Sequence, residues 1–127
     1  MRILIVDDEF LSREKLTHFL SSYGMCDSVA SMAEAKILFE KAIEDELPYD
    51  LISIDIHLPD GSGLDLLSYC YQREKELLDG WFSKKIVVTG DRDLETVQKA
   101  IGYKCDMYMV KPITQKTVET KMRQIWH

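Results

Sequence analysis

Short apolar runs recur along the chain, and most of them end at charged residues or turn formers. The first run, RILIV at residues 2–6, leads directly into Asp7, Asp8 and Glu9. A continuous apolar run of this length is typical of a strand buried on both faces, as in a parallel sheet. Five runs predict five strands, of which the second is the weakest: residues 2–6, 26–30, 50–55, 85–89 and 105–110.

The segments between these strands repeat apolar residues every three or four positions, which predicts amphipathic helices. The first is expected over residues 9–22 with Gly24 as its stop, and the third begins near Leu64 after the turn-rich loop 57–63. In four of the five helices, apolar residues at helical spacing form one face: Leu16, Phe19 and Leu20 in the first; Ala35, Leu38 and Ala42 in the second; Leu94, Val97 and Ile101 in the fourth; Val118, Met122 and Ile125 in the fifth.

Several polar residues stand where helix caps are expected. Ser31 followed by Glu34 has the spacing of a capping box, and Pro48 closes the second helical region. Asp93 and Thr114 are expected to cap the fourth and fifth helices.

Strand and helix therefore alternate five times, which predicts an α/β fold with right-handed crossovers, a parallel sheet and helices on both faces. A chain of 127 residues supports one domain with its own core, so we expect a single domain over residues 1–127. In doubly wound sheets of this kind, the ligand site lies beyond the carboxyl ends of the strands.

Composition narrows the classes of function. The net charge of −6 argues against a nucleic-acid surface and is compatible with binding a cation. Cys26, Cys70 and Cys105 are far apart with no CxxC pair, which indicates reduced, mostly buried thiols in a cytosolic protein. No apolar run approaches the ~20 residues of a membrane span, and the start is too quickly acidic for a signal peptide.

The residues just past the predicted strand ends form a chemically coherent set: Asp7, Asp8, Asp55, Thr89 and Lys111. At about 4 Å and an effective dielectric near 20, each pair of like charges costs roughly 4 kcal/mol. Either these acids diverge into water, or a positive group lies among them. Mg²⁺ prefers carboxylate and water oxygens, and the first acidic pair supplies such ligands.

The same set is suited to phosphoryl chemistry on a carboxylate. Asp55 is the candidate nucleophile, since carboxylates form aspartyl-phosphates. Lys111 offers a mobile positive charge for a phosphate, and the Thr89 hydroxyl can donate to a phosphoryl oxygen. Each residue alone also has an ordinary explanation, such as a helix cap for the acidic pair or a plain strand position for Thr89. The hypothesis rests on all of them falling at the same end of successive strands.

Taken together, these residues resemble the pattern of response-regulator receiver domains of two-component signalling. Asp7-Asp8, Asp55, Thr89 and Lys111-Pro112 match that pattern, and so does the run DIHLPDGSGLDLL at 55–67. The resemblance covers essentially the whole chain. It implies a flavodoxin-like sheet of five parallel strands in the order 2-1-3-4-5.

The resemblance also implies roles for particular residues. Asp55 would accept a phosphoryl group, and Asp8, Asp55 and the backbone carbonyl of His57 would ligate Mg²⁺, for which Mn²⁺ can substitute. Asp7 would hold a metal-bound water. Thr89 and Tyr108 would form a conformational switch, and the Lys111–Pro112 bond would be cis.

The expected biology follows from the same resemblance. The phosphoryl donor would be a sensor histidine kinase or a phosphotransfer protein, and the output would pass to an unidentified protein in the cytoplasm. The domain would phosphorylate and dephosphorylate itself rather than turn over a small substrate, and would contact neither nucleic acid nor membrane. A homodimer through the fourth helix, fifth strand and fifth helix is possible, although Lys99, Glu119 and Arg123 there show no clear pairing pattern.

The chain departs from the family pattern in four places. His57 stands where methionine or a polar residue is common, and its side chain would overhang the site. A solvated histidine is favoured over one that makes the phosphate lifetime depend on pH. Gly90 replaces the usual alanine after Thr89 and should leave the site more open. Lys104 replaces a glycine, so a different backbone is expected there. The segment from Tyr69 to Trp81 is somewhat long, and Trp81 and Phe82 are expected to pack under the end of the third helix, with a partner site as the alternative.

Three other readings of the sequence remain. A Mg²⁺-dependent phosphatase of the haloacid-dehalogenase type would carry a DxD motif after the first strand, where this chain has adjacent Asp7-Asp8. A flavin carrier would need a Ser/Thr/Gly-rich phosphate loop at that point, where DDEFLS would repel a phosphate. The third keeps the fold, with the chain as the receiver of a longer regulator that has a separate, for example DNA-binding, output domain.

Overall fold

In this computed structural model, residues 1–90 and 94–126 are described. The strands are β1 Arg2–Val6, β2 Met25–Val29, β3 Leu51–Asp55, β4 His57–Leu58, β5 Gly61–Ser62, β6 Lys84–Thr89 and β7 Met107–Val110. The helices are α1 Phe10–Leu20, α2 Met32–Glu44, α3 Gly63–Leu77, α4 Leu94–Gly102 and α5 Gln115–Ile125.

Five of the strands form one parallel sheet in the order β2-β1-β3-β6-β7. Counted among themselves these are strands 2-1-3-4-5, so the predicted fold class is confirmed. The two remaining strands, β4 and β5, form a small antiparallel hairpin inside the segment that was expected to be a loop. All five sheet strands end at one edge, which we call the carboxyl edge, and begin at the other, the amino edge.

The core lies on both faces of the sheet because successive strand residues point in opposite directions. On one face, Leu4 and Ile52 pack with residues of α2 and α3. On the other face, Ile3 and Ile5 pack with residues of α1 and α5. The fifth helix buries the predicted face: Val118, Met122 and Ile125.

Two predicted helix caps are confirmed. The Ser31 hydroxyl accepts a hydrogen bond from the backbone N–H of Glu34 at 3.2 Å, and that of Thr114 accepts one from Thr117 at 3.2 Å. The predicted cap Asp93, like the side chains of Leu94 and Val97, lies outside the described residues.

Three local predictions were wrong. Helix α1 ends at Leu20, before Gly24; Gly24 instead permits a close approach to Met1, whose carbonyl a Cβ there would strike. Ile101 is 59% exposed, and its neighbour Ala100 is buried in its place. Lys104 has a φ of 75°, so it takes up the left-handed conformation that a glycine would supply rather than a different backbone.

The connection between α3 and β6 is partly as predicted. Phe82 stacks on Tyr71 of α3, with ring centroids 4.8 Å apart, but Trp81 remains 40% exposed. The three cysteines are free thiols, and only Cys70 is fully buried. Among the described residues, no helix combines the length and apolar character needed to cross a membrane.

Candidate functional site

Three carboxylates meet at the carboxyl edge of the sheet. Asp7 follows β1 directly and Asp55 is the last residue of β3, and these two strands are neighbours. One oxygen each from Asp7, Asp8 and Asp55 lie within 4.8 Å of one another. The side chains of Asp7 and Asp55 are buried and that of Asp8 is exposed. The two strand ends therefore bring acids from opposite parts of the sequence into one cluster.

Lys111 supplies the positive charge of this cluster. Its Nζ atom lies 2.9 Å from Asp55 Oδ2 and 3.3 Å from Asp7 Oδ2. The backbone N–H of Lys111 donates to the carbonyl of Thr89 at 2.8 Å, and the Lys111–Pro112 bond is cis, as predicted. The lysine therefore reaches from the end of β7 across the end of β6 to the acids.

Burial and charge act against each other at this site. Burial raises the pKa of Asp7 to about 6, and the negative charge of Asp55 raises it as well. A hydrogen bond from Glu9 N–H and the positive charge of Lys111 oppose this increase. Burial acts to lower the pKa of Lys111, but hydrogen bonding and charge from Asp55, then Asp7, outweigh it, so the pKa of Lys111 is raised. Among the described residues, the three carboxylates of the site therefore carry more negative charge than the Lys111 ammonium balances.

The donor set fits a hard divalent cation. Asp7 Oδ2 is buried and, within the described part of the chain, makes no hydrogen bond, although Lys111 is near. A carboxylate oxygen buried without a hydrogen bond is costly unless a positive group satisfies it. Carboxylate oxygens are the ligands that Mg²⁺ takes in proteins, so the three aspartates suit such an ion.

The hairpin after Asp55 is fixed closely to the site. The backbone N–H of His57 donates to Asp55 Oδ1 at 3.0 Å, while the His57 side chain is exposed. Gly63 follows the hairpin, and any Cβ there would collide with the backbone carbonyl of Asp55. The carboxyl group of Asp60 accepts hydrogen bonds from Met32 and Ala33 N–H, both at 2.9 Å, at the start of α2.

The two candidate switch residues lie in different surroundings. Thr89, the last residue of β6, is buried and stands one position beyond Val88, the partner of Asp55 in the sheet. Tyr108 in β7 is 37% exposed, and Lys121 Nζ lies 5.4 Å from its ring centroid. Tyr108 is therefore not an ordinary core residue in this conformation. Apart from its chain neighbours, no residue that the structure describes has an atom within 4 Å of a Cβ placed at Gly90, next to Thr89.

Sequence reasoning assigned no role to two residues that contact the site. Glu9 Oε2 lies 4.0 Å from Lys111 Nζ, and Arg13 Nη1 donates to the backbone carbonyl of Asp7 at 2.7 Å. The acidic run 7–9 signalled Glu9. No sequence pattern indicated a role for Arg13, because only the packing of α1 against β1 brings it to that carbonyl.

Comparison with known proteins gives a consistent result. The family model for the response regulator receiver domain matches residues 3–123. The sensory transduction protein LytT of Enterococcus faecalis is 47% identical over 69 residues, which are 52% of this chain and 26% of that protein. The transcriptional regulatory protein LytR of Staphylococcus aureus is 29% identical over 125 residues, which are 98% of this chain and 47% of that protein.

Among solved structures, a CheY-like response regulator receiver domain from Methanospirillum hungatei superposes with a TM-score of 0.80 at 27% identity, covering 97% of this chain and 90% of that one. The chain thus spans less than half of the length of the two curated relatives and most of the length of an isolated receiver. The family model covers nearly all of the chain, and the chain therefore belongs to the family of response regulator receiver domains of two-component systems.

Proposed function

We propose that the protein is a phosphorylation-dependent switch and that Asp55 is the phosphoryl acceptor. The observation that carries the proposal is the contact of 2.9 Å between Lys111 Nζ and Asp55 Oδ2 at the carboxyl edge. Oδ1 of the same carboxylate is held by His57 N–H. The nucleophile is thus oriented by one backbone donor and one ammonium, which is the positioning that phosphoryl transfer requires.

In the proposed step, an Asp55 oxygen bonds to the phosphorus of a phosphohistidine on a sensor kinase or phosphotransfer protein. The phosphorus–nitrogen bond breaks, and its electron pair stays on the imidazole nitrogen, which leaves with the donor protein. The Lys111 ammonium faces the oxygens of the transferred group and the Thr89 hydroxyl donates to one of them.

Mg²⁺ would be held by Asp8, Asp55 and the backbone carbonyl of His57, and Asp7 would act through a metal-bound water. Mn²⁺ would bind to the same oxygen atoms. When bound, the ion supplies the positive charge that neutralises the phosphoryl oxygens. Two observations on the described residues support this assignment: carboxylates outnumber ammonium groups in the cluster, and Asp7 Oδ2 makes no hydrogen bond there.

Phosphorylation would be read out through Thr89 and Tyr108. Thr89 would move toward the phosphoryl group, and Tyr108, now 37% exposed, would turn inward. The surface formed by α4, β7 and α5 would then change, because the new contacts exist only in the phosphorylated state. That surface is also the proposed homodimer contact, and it would present the signal to a cytoplasmic partner.

A second candidate concerns the wider protein. The curated relatives are more than twice as long as the matched region, and one is named a transcriptional regulatory protein. This observation favours a receiver that acts within a longer regulator with its own output domain. The length of the natural open reading frame distinguishes the two candidates.

The central experiment is phosphorylation by acetyl phosphate with Mg²⁺, followed by the mass of the intact chain. We expect one phosphoryl group on the parent protein, none on Asp55→Asn, and full labelling of Asp65→Asn, which changes an exposed aspartate on α3. Undiminished labelling of Asp55→Asn would exclude the assigned acceptor. Profiling against histidine kinases of the source organism would then identify the donor.

A further inference from the structure

Two adjoining cavities lie between α3 and α4, away from the carboxyl edge. Their volumes are about 420 and 380 Å³, and both are lined by Tyr71 and Lys104. Ser83 and Lys84, at the start of β6, line the larger one. Together they form a groove, the α3–α4 groove, at the amino edge of the sheet. None of its lining residues takes part in the proposed phosphorylation chemistry.

Apolar surface is presented to solvent along this groove. The rings of Tyr71 and Phe82 stack with an interplanar angle of 12° and form one wall. Ile101 and Tyr103, at the end of α4, are 59% and 40% exposed. A folded chain that leaves aromatic and aliphatic side chains open in one concave region offers a surface for an apolar side chain of a partner.

The groove is positively charged, although the chain as a whole carries −6. Lys84, Lys99 and Lys104 line it. Lys99 has an exposed partner, Glu95, at 3.5 Å, whereas Lys84 and Lys104 form no ion pair with any residue that the structure describes. Such exposed pairs are weak, so all three ammonium groups are available to a partner.

Two acidic side chains lie at or beneath the groove. Glu74 forms a buried ion pair with Lys85 beneath the groove. The Asp106 carboxylate accepts a hydrogen bond from the backbone N–H of Lys85 at 2.8 Å. Asp106 lines the larger cavity and keeps its negative charge, since a hydrogen bond from a neutral N–H does not cancel it. With Lys84, Lys99 and Lys104 in the lining, the groove still carries more positive than negative charge.

Lys104 occupies its place in the groove at a cost in backbone free energy. Its φ of 75° is a conformation that glycine adopts freely and other residues do not. The Lys104 side chain extends over the ring of Tyr71, with Nζ 5.9 Å from the ring centroid. Glu46 after α2 and Asp79 after α3 have positive φ as well, so this backbone conformation is a common way for helices of the chain to end. The position of the Lys104 side chain over Tyr71 is what places its charge in the groove.

We propose that the α3–α4 groove docks an acidic segment of a partner protein. An apolar or aromatic side chain of that segment lies against Tyr71 and Phe82, and its carboxylates face Lys84, Lys99 and Lys104. Three ammonium groups on a chain of charge −6 are too few for a nucleic-acid backbone.

Direct binding tests this proposal without phosphorylation. The probe is a fluorescein-labelled random copolymer of glutamate and tyrosine, followed by fluorescence anisotropy at low ionic strength with the 127-residue chain. Glutamate homopolymer, lysine–tyrosine copolymer and single-stranded DNA are the comparison ligands. We expect the glutamate–tyrosine copolymer to bind most tightly and the lysine–tyrosine copolymer not to bind.

Variants locate the binding. Lys104→Glu should weaken it by roughly tenfold, as loss of a central interface group does. Lys104→Gly should also weaken it while raising thermal stability, so that the loss cannot come from unfolding. Tyr71→Ala should reduce binding of the copolymer more than that of glutamate homopolymer. Lys41→Glu is the matched control, because this α2 side chain is 70% exposed and the change of charge is the same.

Three results would overturn the proposal: no binding of the glutamate–tyrosine copolymer, equal weakening by Lys41→Glu and Lys104→Glu, or tighter binding of DNA. The second would show general electrostatic attraction, and the third a nucleic-acid partner.

Discussion

Two lysine–carboxylate pairs at opposite edges of the sheet show how balanced and unbalanced charge serve different purposes. At the amino edge, Lys85 and Glu74 are 1% and 0% exposed. Lys85 Nζ also donates to the carbonyl of Ser83, and Glu74 Oε2 accepts from the N–H of Ser83. One positive and one negative charge thus satisfy each other in the interior.

At the carboxyl edge, one ammonium faces an excess of acids. Lys111 contacts Asp55 and Asp7, while Asp8 lies in the same cluster. Asp7 Oδ2 makes no hydrogen bond within the described residues. The first pair is neutral as a unit, and removal of either partner alone would leave a buried charge unpaired. Among the residues that the structure describes, the second leaves negative charge unbalanced, which destabilises the fold and suits the binding of a cation.

The largest expected effect comes from breaking the balanced pair. Lys85→Met should lower the free energy of unfolding by about 3–5 kcal/mol, because it leaves the Glu74 carboxylate buried without its counter-ion. Urea denaturation measures this loss. Changing Glu74 to Met as well should restore much of the stability. Lys84→Met, at the adjacent and partly exposed position, is the control and should change little; similar losses for both variants would contradict a special role of the pair.

The opposite sign is expected at the carboxyl edge. Asp7→Asn should raise the free energy of unfolding at pH 7 without Mg²⁺ by about 1–3 kcal/mol, since it removes a buried charge whose pKa is raised to about 6. It should also abolish the stabilisation that Mg²⁺ gives the parent protein. Thermal unfolding with and without Mg²⁺ tests both effects. A less stable variant that still responds fully to Mg²⁺ would show that Asp7 is not part of the unbalanced cluster.

The same carboxyl group predicts a dependence of stability on pH. Its pKa rises from 3.8 to about 6 on folding, so the folded state binds the proton more tightly. Its contribution to stability is full below pH 3.8 and is lost as the pH rises through 6. Without Mg²⁺, stability should therefore increase by about 1–2 kcal/mol between pH 7 and pH 5.

At lower pH another carboxyl group opposes this gain in stability, and a variant of Asp7 provides the control. A hydrogen bond from Arg73 lowers the pKa of Glu40, so the contribution of Glu40 to the stability of the fold is lost as the solution becomes more acidic. Asp7→Asn should show a flatter profile between pH 7 and pH 5 in urea titrations. A parent protein whose stability falls steadily over this range would refute the assignment.

The smallest effect concerns a third lysine, which belongs to neither pair. Lys104→Gly should raise the free energy of unfolding by about 0.5–1 kcal/mol, because glycine relieves the left-handed backbone at some cost in chain entropy. Lys99→Gly, inside α4, should have the opposite sign, since glycine weakens a helix interior. Chemical denaturation of the two variants side by side provides the comparison; a destabilised Lys104→Gly would show that the lysine itself contributes to folding.

Much of the fold could be predicted because its signals are local. The apolar runs identify the strands, and the Ser31 and Thr114 caps depend on residues only three positions apart. Even the site was predictable in outline, since parallel strands place their carboxyl ends at one edge, and Asp7 and Asp55 do lie together there.

Other features depend on residues that are distant in the sequence. From the sequence, Lys85 is predicted only as a polar residue at the start of a strand. The packing of α3 against the sheet then brings it to Glu74, its buried partner. Asp60 reads as a turn residue, but it caps α2, which begins 28 positions earlier. The α3–α4 groove, likewise, combines Tyr71, Phe82 and Lys104 from three separate segments.

The sequence by itself determined the alternation of strands and helices, the sheet class and the set of acids at its carboxyl edge, because periodicity and strand ends are properties of neighbouring residues. The tertiary structure alone decided which charges are balanced. Coulomb and desolvation energies depend on distance and burial, and these are known only once the helices have packed on the sheet.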